Sequence, residues 1–308
     1  MTRGRRSAPA EYRREPPPCT LRVAASGLPR DLIYSGRCRS SWGRRASRRA
    51  AAGGAPGPRR ARRRPRRREA TRTGAIMATY VLVHGAYQGG WIWKPVIERL
   101  RAAGHQVYAP TLDGCAERHH LVRSGITVGT HAQEIAQLMF YEDLERVVLA
   151  GTSSGGMVIC KAAELARDRI ARLAFVDALA LMPGERVGDI VKRASANETT
   201  SITTGPTRSD VEKRLFADLD PDLRAWALAR YTPHPVAALE APVELGSFWT
   251  QTWPTTVIRC RRAANPPEAH QRRTAERLKA AWHELDTGHY PMLSQPEELT
   301  RLLLAPVS

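Results

Sequence analysis

The chain has 308 residues, 42% of them hydrophobic, and its 48 Lys+Arg against 30 Asp+Glu give a formal charge of +18. That is enough chain for one large or two small domains around a sizeable core, and it contains no run of about 18 apolar residues that could form a membrane-spanning helix. Five Cys, scattered without metal-ligand spacing, argue against a disulfide scaffold and for a reducing, cytoplasmic setting.

Residues 1–76 hold 22 Arg, no Lys and four acids (Glu11, Glu15, Asp31, Glu69), an excess equal to the whole formal charge, so residues 77–308 are neutral. The segment is rich in Arg, Ala, Pro and Gly, with Ala50 to Gly54 and an Arg cluster from Arg59 to Arg68. It has few aliphatic residues and no period of 2 or 3.6, so it cannot bury enough surface to offset its ordering entropy. A disordered extension is expected. No apolar h-region supports a secretory signal. Clustered Arg could displace counterions from a phosphate backbone, but Arg without Lys has the composition of translated GC-rich upstream sequence. Met77-Ala78-Thr79-Tyr80 leads directly into a strand, and the expectation is a native start at Met77. The neutral remainder gives no reason to expect a nucleic-acid partner.

From there the elements alternate. Tyr80 to His84 is a short β-branched run ended by glycine, a buried strand. Trp91 to Ala103 carries Val96, Ile97 and Leu100 at helical spacing, and Gly104 stops it. Gln106 to Ala109 is a second strand closed by Pro110, and Thr130 to Tyr141 is a helix with Ile135, Leu138 and Met139 on one face. Strands follow at 146–150 and 170–176, with a helix from Ser154 to Arg167 between them. The last elements are strands 255–260 and 281–285, separated by a helix from Glu268 to Ala280, and a closing helix from Pro296 to Leu304. Strand alternating with helix predicts a six-stranded, mostly parallel α/β sheet covered on both faces. Residues 183–250 break the rhythm, offering only helical segments at 211–219 and 222–231. They are expected to form a small helical cap over the sheet's carboxyl edge, where ligands bind in open α/β folds.

The chemistry centres on Gly151-Thr152-Ser153-Ser154-Gly155-Gly156, between a strand and a helix. This is a G-x-S-x-G elbow in the context that gives the motif meaning, with Ser153 flanked two residues away by glycine on each side. A serine hydroxyl needs an adjacent base to become a nucleophile. His289, in Leu285-Asp286-Thr287-Gly288-His289-Tyr290-Pro291, follows the last strand at the same sheet edge and preserves the chain order Ser, acid, His. His119, His120, His131, His234, His270 and His283 are expected on polar surfaces. The oxyanion of an acyl-transfer intermediate needs preorganised N–H donors, here the amides of Ser154 and of Ala86 in the His84-Gly85-Ala86 loop. His84 is expected to shape that loop. The acid that orients the imidazole must follow a strand at the same edge. Asp177, directly after 170–176, is the first candidate, with Glu268 and Asp286 kept open.

These residues, with Gly90-Trp91, Thr111-Leu112-Asp113-Gly114 and Val176-Asp177-Ala178, resemble the α/β-hydrolase superfamily. The branch is that of plant methylesterases and hydroxynitrile lyases, together with bacterial esterase-like relatives. The resemblance covers nearly all of 77–308 and implies a six-stranded core, a helical cap, a Ser–His–acid triad and no cofactor. The branch would place an aspartate where Ala263 stands; other superfamily members place the acid one strand earlier, which is Asp177 here. Lyase relatives use a lysine near that missing acid, and no Lys stands between Lys213 and Lys279.

The expected function is hydrolysis of a small carboxylic ester by Ser153, His289 and Asp177. Tyr87, Trp91, Trp226, Phe248 and Trp249 are expected to line a pocket for an apolar or aromatic group. A lyase-like enzyme on the same scaffold, and a ligand-binding protein with a vestigial triad, are the alternatives. No His/Asp/Glu cluster has ligand spacing, so no metal is expected.

Overall fold

The computed structural model describes residues 77–192 and 197–306; the expectations for 1–76 lie outside the described residues. In chain order the strands are β1 (Thr79–Val83), β2 (Gln106–Tyr108), β3 (Val147–Ser153), β4 (Ile170–Ala178), β5 (Glu198–Thr199), β6 (Thr203–Gly205), β7 (His234–Pro235), β8 (Thr255–Cys260) and β9 (Ala281–Leu285). The longer helices are α1 (Lys94–Ala102), α2 (Val128–Tyr141), α3 (Gly155–Leu165), α4 (Pro221–Leu228), α5 (Glu268–Leu278) and α6 (Pro296–Leu304).

Six strands form one sheet in the order β2-β1-β3-β4-β8-β9, and all its neighbours pair in parallel. Alternate residues supply two separate cores. Val81, Val83, Leu149, Phe175 and Val257 pack against α2 and α3, while Leu82, Val148, Ala150, Val176 and Ile258 pack against α1 and α6. A sheet buried on both faces needs near-continuous apolar strands, which is why Val147-Val148-Leu149-Ala150 was legible without alternation.

Local chemistry fixes the helix ends. Thr127 caps α2 by accepting from Thr130 N at 3.3 Å, and Thr130 Oγ1 accepts from Thr127 N at 2.9 Å. That reciprocal pair starts the helix two residues before the predicted Thr130. The predicted helix from Trp91 begins as a 3₁₀ turn, Gly90–Trp93, before Pro95 opens α1.

The segment between β4 and β8 corrects the expectation of helices alone. It contains an antiparallel three-stranded sheet, β5-β6-β7. Its hairpin is held by threonine hydroxyls: Thr199 Oγ1 lies 2.8 Å from Thr204 Oγ1, and Thr200 Oγ1 accepts from Thr203 N at 2.9 Å. β-branched side chains favour such a pleated pair. The helix expected at 211–219 shrinks to a π turn over Val211–Leu215, and the one expected at 222–231 is α4.

Three histidines expected at the surface are buried instead. His131 Nε2 lies 2.9 Å from Asp113 O, His270 Nε2 accepts from Ala180 N at 3.0 Å, and His234 stands against Cys115 Sγ at 3.5 Å. Each finds a specific polar partner, which lets a polar ring enter a core.

Candidate active site

Strand β3 ends on Ser153, whose φ of +52° lies in the left-handed region. A non-glycine residue adopts that conformation at a cost, and such strain concentrates at functional turns. The neighbouring glycines make the turn possible by close approach. A Cβ on Gly151 would lie 2.6 Å from Gly155 O, and one on Gly155 would lie 2.6 and 2.7 Å from the carbonyl oxygens of His84 and Val83. β1, β3 and α3 therefore meet where only hydrogen fits.

His84, fully buried, organises the loop after β1. Its Nδ1 donates to Gly85 O at 2.7 Å and its Nε2 accepts from Leu112 N at 3.0 Å. Burial pushes its pKa down to about 4, so it stays neutral and serves as a brace. The amides of Ala86 and Ser154 have no hydrogen-bond partner among the described residues, and both residues line the same cavity as Ser153. Two unpaired N–H groups at one cavity wall can receive an anionic oxygen.

His289 arrives on the loop after β9. Its Nδ1 lies 2.6 Å from Asp177 Oδ2. Asp177, at φ +45° and 0% exposure, is the penultimate residue of β4 and uses its other oxygen to accept from Cys260 N at 3.1 Å and Gln271 Nε2 at 2.7 Å. The two other candidate acids lie elsewhere. Glu268 pairs with Arg272 Nε at 2.7 Å and Arg259 Nη2 at 3.0 Å, and Asp286 is exposed beside Arg261. With Nδ1 on the carboxylate, Nε2 is the ring nitrogen left free to exchange a proton.

Ser153 and His289 line one cavity of about 310 Å³. Aliphatic walls come from the segment after β4, notably Val187, Val191, Leu215 and Leu239, and Tyr87 lines it as expected. Trp91, Trp226, Phe248 and Trp249 do not. Trp91 and Trp226 pack edge to face at 5.2 Å, Phe248 stacks on Trp253 at 5.5 Å, and Trp249 Nε1 donates to Leu181 O at 3.0 Å. Large aromatic surfaces are more stable packed together than held at a cavity mouth.

Sequence reasoning missed Gln271, Asp218 and Tyr290. Gln271 lies on the buried stripe of α5 with Ala275 and Leu278, a spacing visible in the sequence. Asp218 accepts from Gly288 N at 2.7 Å, tying the segment after β4 to the His289 loop; no local pattern announces it. Tyr290, fully buried beside His289 at 4.9 Å between ring centroids, also lines the cavity. Among the described residues no group of three or more His, Cys, Asp or Glu is placed to hold a metal, and no helix is long and apolar enough to cross a membrane.

Known proteins resemble this arrangement. A carbendazim hydrolyzing esterase of Nocardioides is 29% identical over 244 residues, covering 74% of this chain and 99% of its own. Methylesterase 3 of Arabidopsis thaliana is 29% identical over 252 residues, covering 73% of this chain and 94% of its own. The structure of an extracellular alpha/beta-hydrolase from a Paenibacillus species superimposes with a TM-score of 0.64 at 20% identity, covering 74% of this chain and 98% of that one. The alpha/beta hydrolase family model matches residues 80–302. Sheet order, elbow and sequence match agree: the chain belongs to the alpha/beta hydrolase family and has its fold.

Proposed function

We propose that the protein hydrolyses a small carboxylic ester through an acyl-enzyme formed on Ser153. A carboxylic ester hydrolase on this scaffold is the class that the esterase and methylesterase relatives support. The observation that carries the finer reading is the 2.6 Å contact between His289 and Asp177 at a cavity that Ser153 also lines.

The steps follow from the groups present. His289 Nε2 takes the Ser153 proton as the hydroxyl attacks the ester carbonyl, and Asp177 stabilises the imidazolium that forms. The Ala86 and Ser154 amides receive the oxyanion; one such donor is worth roughly 10²–10³ in kcat. His289 then protonates the departing alcohol. A water attacks the acyl carbonyl with His289 as base, and His289 returns that proton to Ser153 Oγ as the bond to the acyl carbon breaks and the acid leaves. The aliphatic walls suit an apolar or aromatic group of the ester, as in most small-molecule pockets. Cys115, Cys160 and Cys260 are buried free thiols, in keeping with the cytoplasmic setting we propose.

A fluorophosphonate probe tests the reading. Wild type and Ser154→Ala are expected to be labelled, and Ser153→Ala is not. A wild-type protein that stays unlabelled and leaves p-nitrophenyl acetate intact removes the proposal.

A further inference from the structure

We infer that Gln271 is a positioning residue for the Asp177–His289 pair, its side-chain amide turning Asp177 so that Oδ2 meets the imidazole. The inference deepens the proposed triad and rests on it for its catalytic meaning. Asp177 is wholly buried, and a buried carboxylate persists only when its lone pairs are occupied. Oδ2 is taken by His289 Nδ1. Oδ1 is held from two sides, by the backbone N–H of Cys260 at 3.1 Å and by Gln271 Nε2 at 2.7 Å. The backbone bond is independent of side-chain identity, so Gln271 is the part of this cradle that the sequence supplies.

The orientation of the amide is determined. Nε2 donates both to Asp177 Oδ1 and to Pro266 O, the latter at 3.0 Å, and neither acceptor can donate in return when Asp177 is ionised. A flipped amide would set oxygen against oxygen twice. The chosen orientation leaves Gln271 Oε1 buried without a partner among the described residues. An orphaned buried oxygen costs free energy and calls for an explanation. Here the nitrogen end is required at Asp177, and the oxygen end bears the consequence. Pro266 also lines the cavity, so one side chain joins the acid to the cavity wall.

Other titratable groups near the pair are the Cys260 thiol, which burial and Asp177 push up, the Tyr290 hydroxyl, which burial pushes up, and the Asp218 carboxylate on Gly288 N. The test leaves all three unchanged. Gln271→Met keeps length and volume and removes the donor; Gln271→Glu donates only while its carboxyl is protonated. In Gln271→Met the Asp177 oxygen loses a donor and becomes more basic, so the His289 imidazolium is favoured. The His289 ring titration, followed by NMR of labelled histidine, is expected to move up by about one pH unit. kcat is expected to fall about tenfold with KM within about twofold. Gln271→Glu should gain a basic limb in kcat/KM that wild type lacks, as its carboxyl ionises against Asp177. A folded Gln271→Met protein with wild-type His289 titration and pH profile would mean that Gln271 only packs, and the inference fails. If Gln271→Met does not fold, the isosteric Gln271→Glu carries the test, and absence of the new limb is the overturning result. The NMR titration needs no turnover, so an inactive wild type would sink the esterase reading while Gln271 is still judged on its own.

Discussion

Asp177 is held at three points, and this makes its conservative replacement informative. In Asp177→Asn the carbonyl oxygen would take the donors from Cys260 and Gln271, and the amide nitrogen would face His289. That nitrogen donates to Nδ1, which forces the imidazole proton onto Nε2, the atom that accepts the Ser153 proton in the proposed mechanism. We expect kcat to fall by about 10³–10⁴ with the fold retained, since a wrong tautomer is as damaging as an absent acid. Glu268→Gln and Asp286→Asn, partly exposed carboxylates already paired with arginines, should stay within about twofold. Steady-state kinetics on p-nitrophenyl acetate with a thermal melt for each variant decides it; a twofold loss in Asp177→Asn would remove the residue from the mechanism. The placement of Asp177 was legible because it closes an apolar run at the sheet edge where the proposed triad needs an acid. Gln271 was not, because a glutamine on a charged helix gives no sign of the carboxylate that it meets across the fold.

Two glycines separate the consequences of crowding by what they crowd. A methyl on Gly155 would press on the main-chain oxygens of Val83 and His84, which cannot move without parting β1 from α3. Gly155→Ala is expected to destabilise by roughly 3 kcal/mol, lowering Tm by about 5–10 °C, and to abolish labelling of Ser153. A methyl on Gly288 would fall 2.4 Å from the Asp218 carboxylate, a flexible side-chain end that can swing away. Gly288→Ala should change Tm by no more than about 3 °C yet lower kcat, because the His289 loop loses its tie to Asp218. If that tie is the cause, Asp218→Ala has the same effect and the double variant loses no more than either single; additive losses would refute it. Elements of the sheet and its covering helices were legible through period and apolar runs. The hairpin at 198–205 was not, since strands of two or three residues have no period, and hydroxyl bonds among threonines help to hold it.

Across the molecule, the two-core architecture followed from alternation of elements, but the placement of the histidines did not, because polar rings enter a core only when tertiary partners await them. That placement governs how the protein responds to acid. Burial lowers the pKa of His84 and of His270 to about 4, the latter helped by Arg273, lowers that of His131, and depresses that of His234 strongly. In the unfolded chain each titrates near the ordinary value of about 6.5. Between about pH 4 and 6.5 the unfolded chain therefore binds more protons than the native one, and stability falls as pH falls through that window. Each histidine contributes a slope of about 1.4 kcal/mol per pH unit where the difference is a full proton, so His84 and His270 alone could remove about 2 kcal/mol between pH 6 and 5, with His131 and His234 adding in the same direction. Against a typical total of about 5–15 kcal/mol that is a large fraction. Urea midpoints at pH 7.5, 6 and 5 should drop steeply below pH 6 and be nearly level above 7. His270→Gln, whose carbonyl can still accept from Ala180 N, should take about one proton out of the slope. Midpoints that stay level from pH 7.5 to 5 would show that these imidazoles charge without unfolding the protein, and would displace burial as the reason for their neutrality.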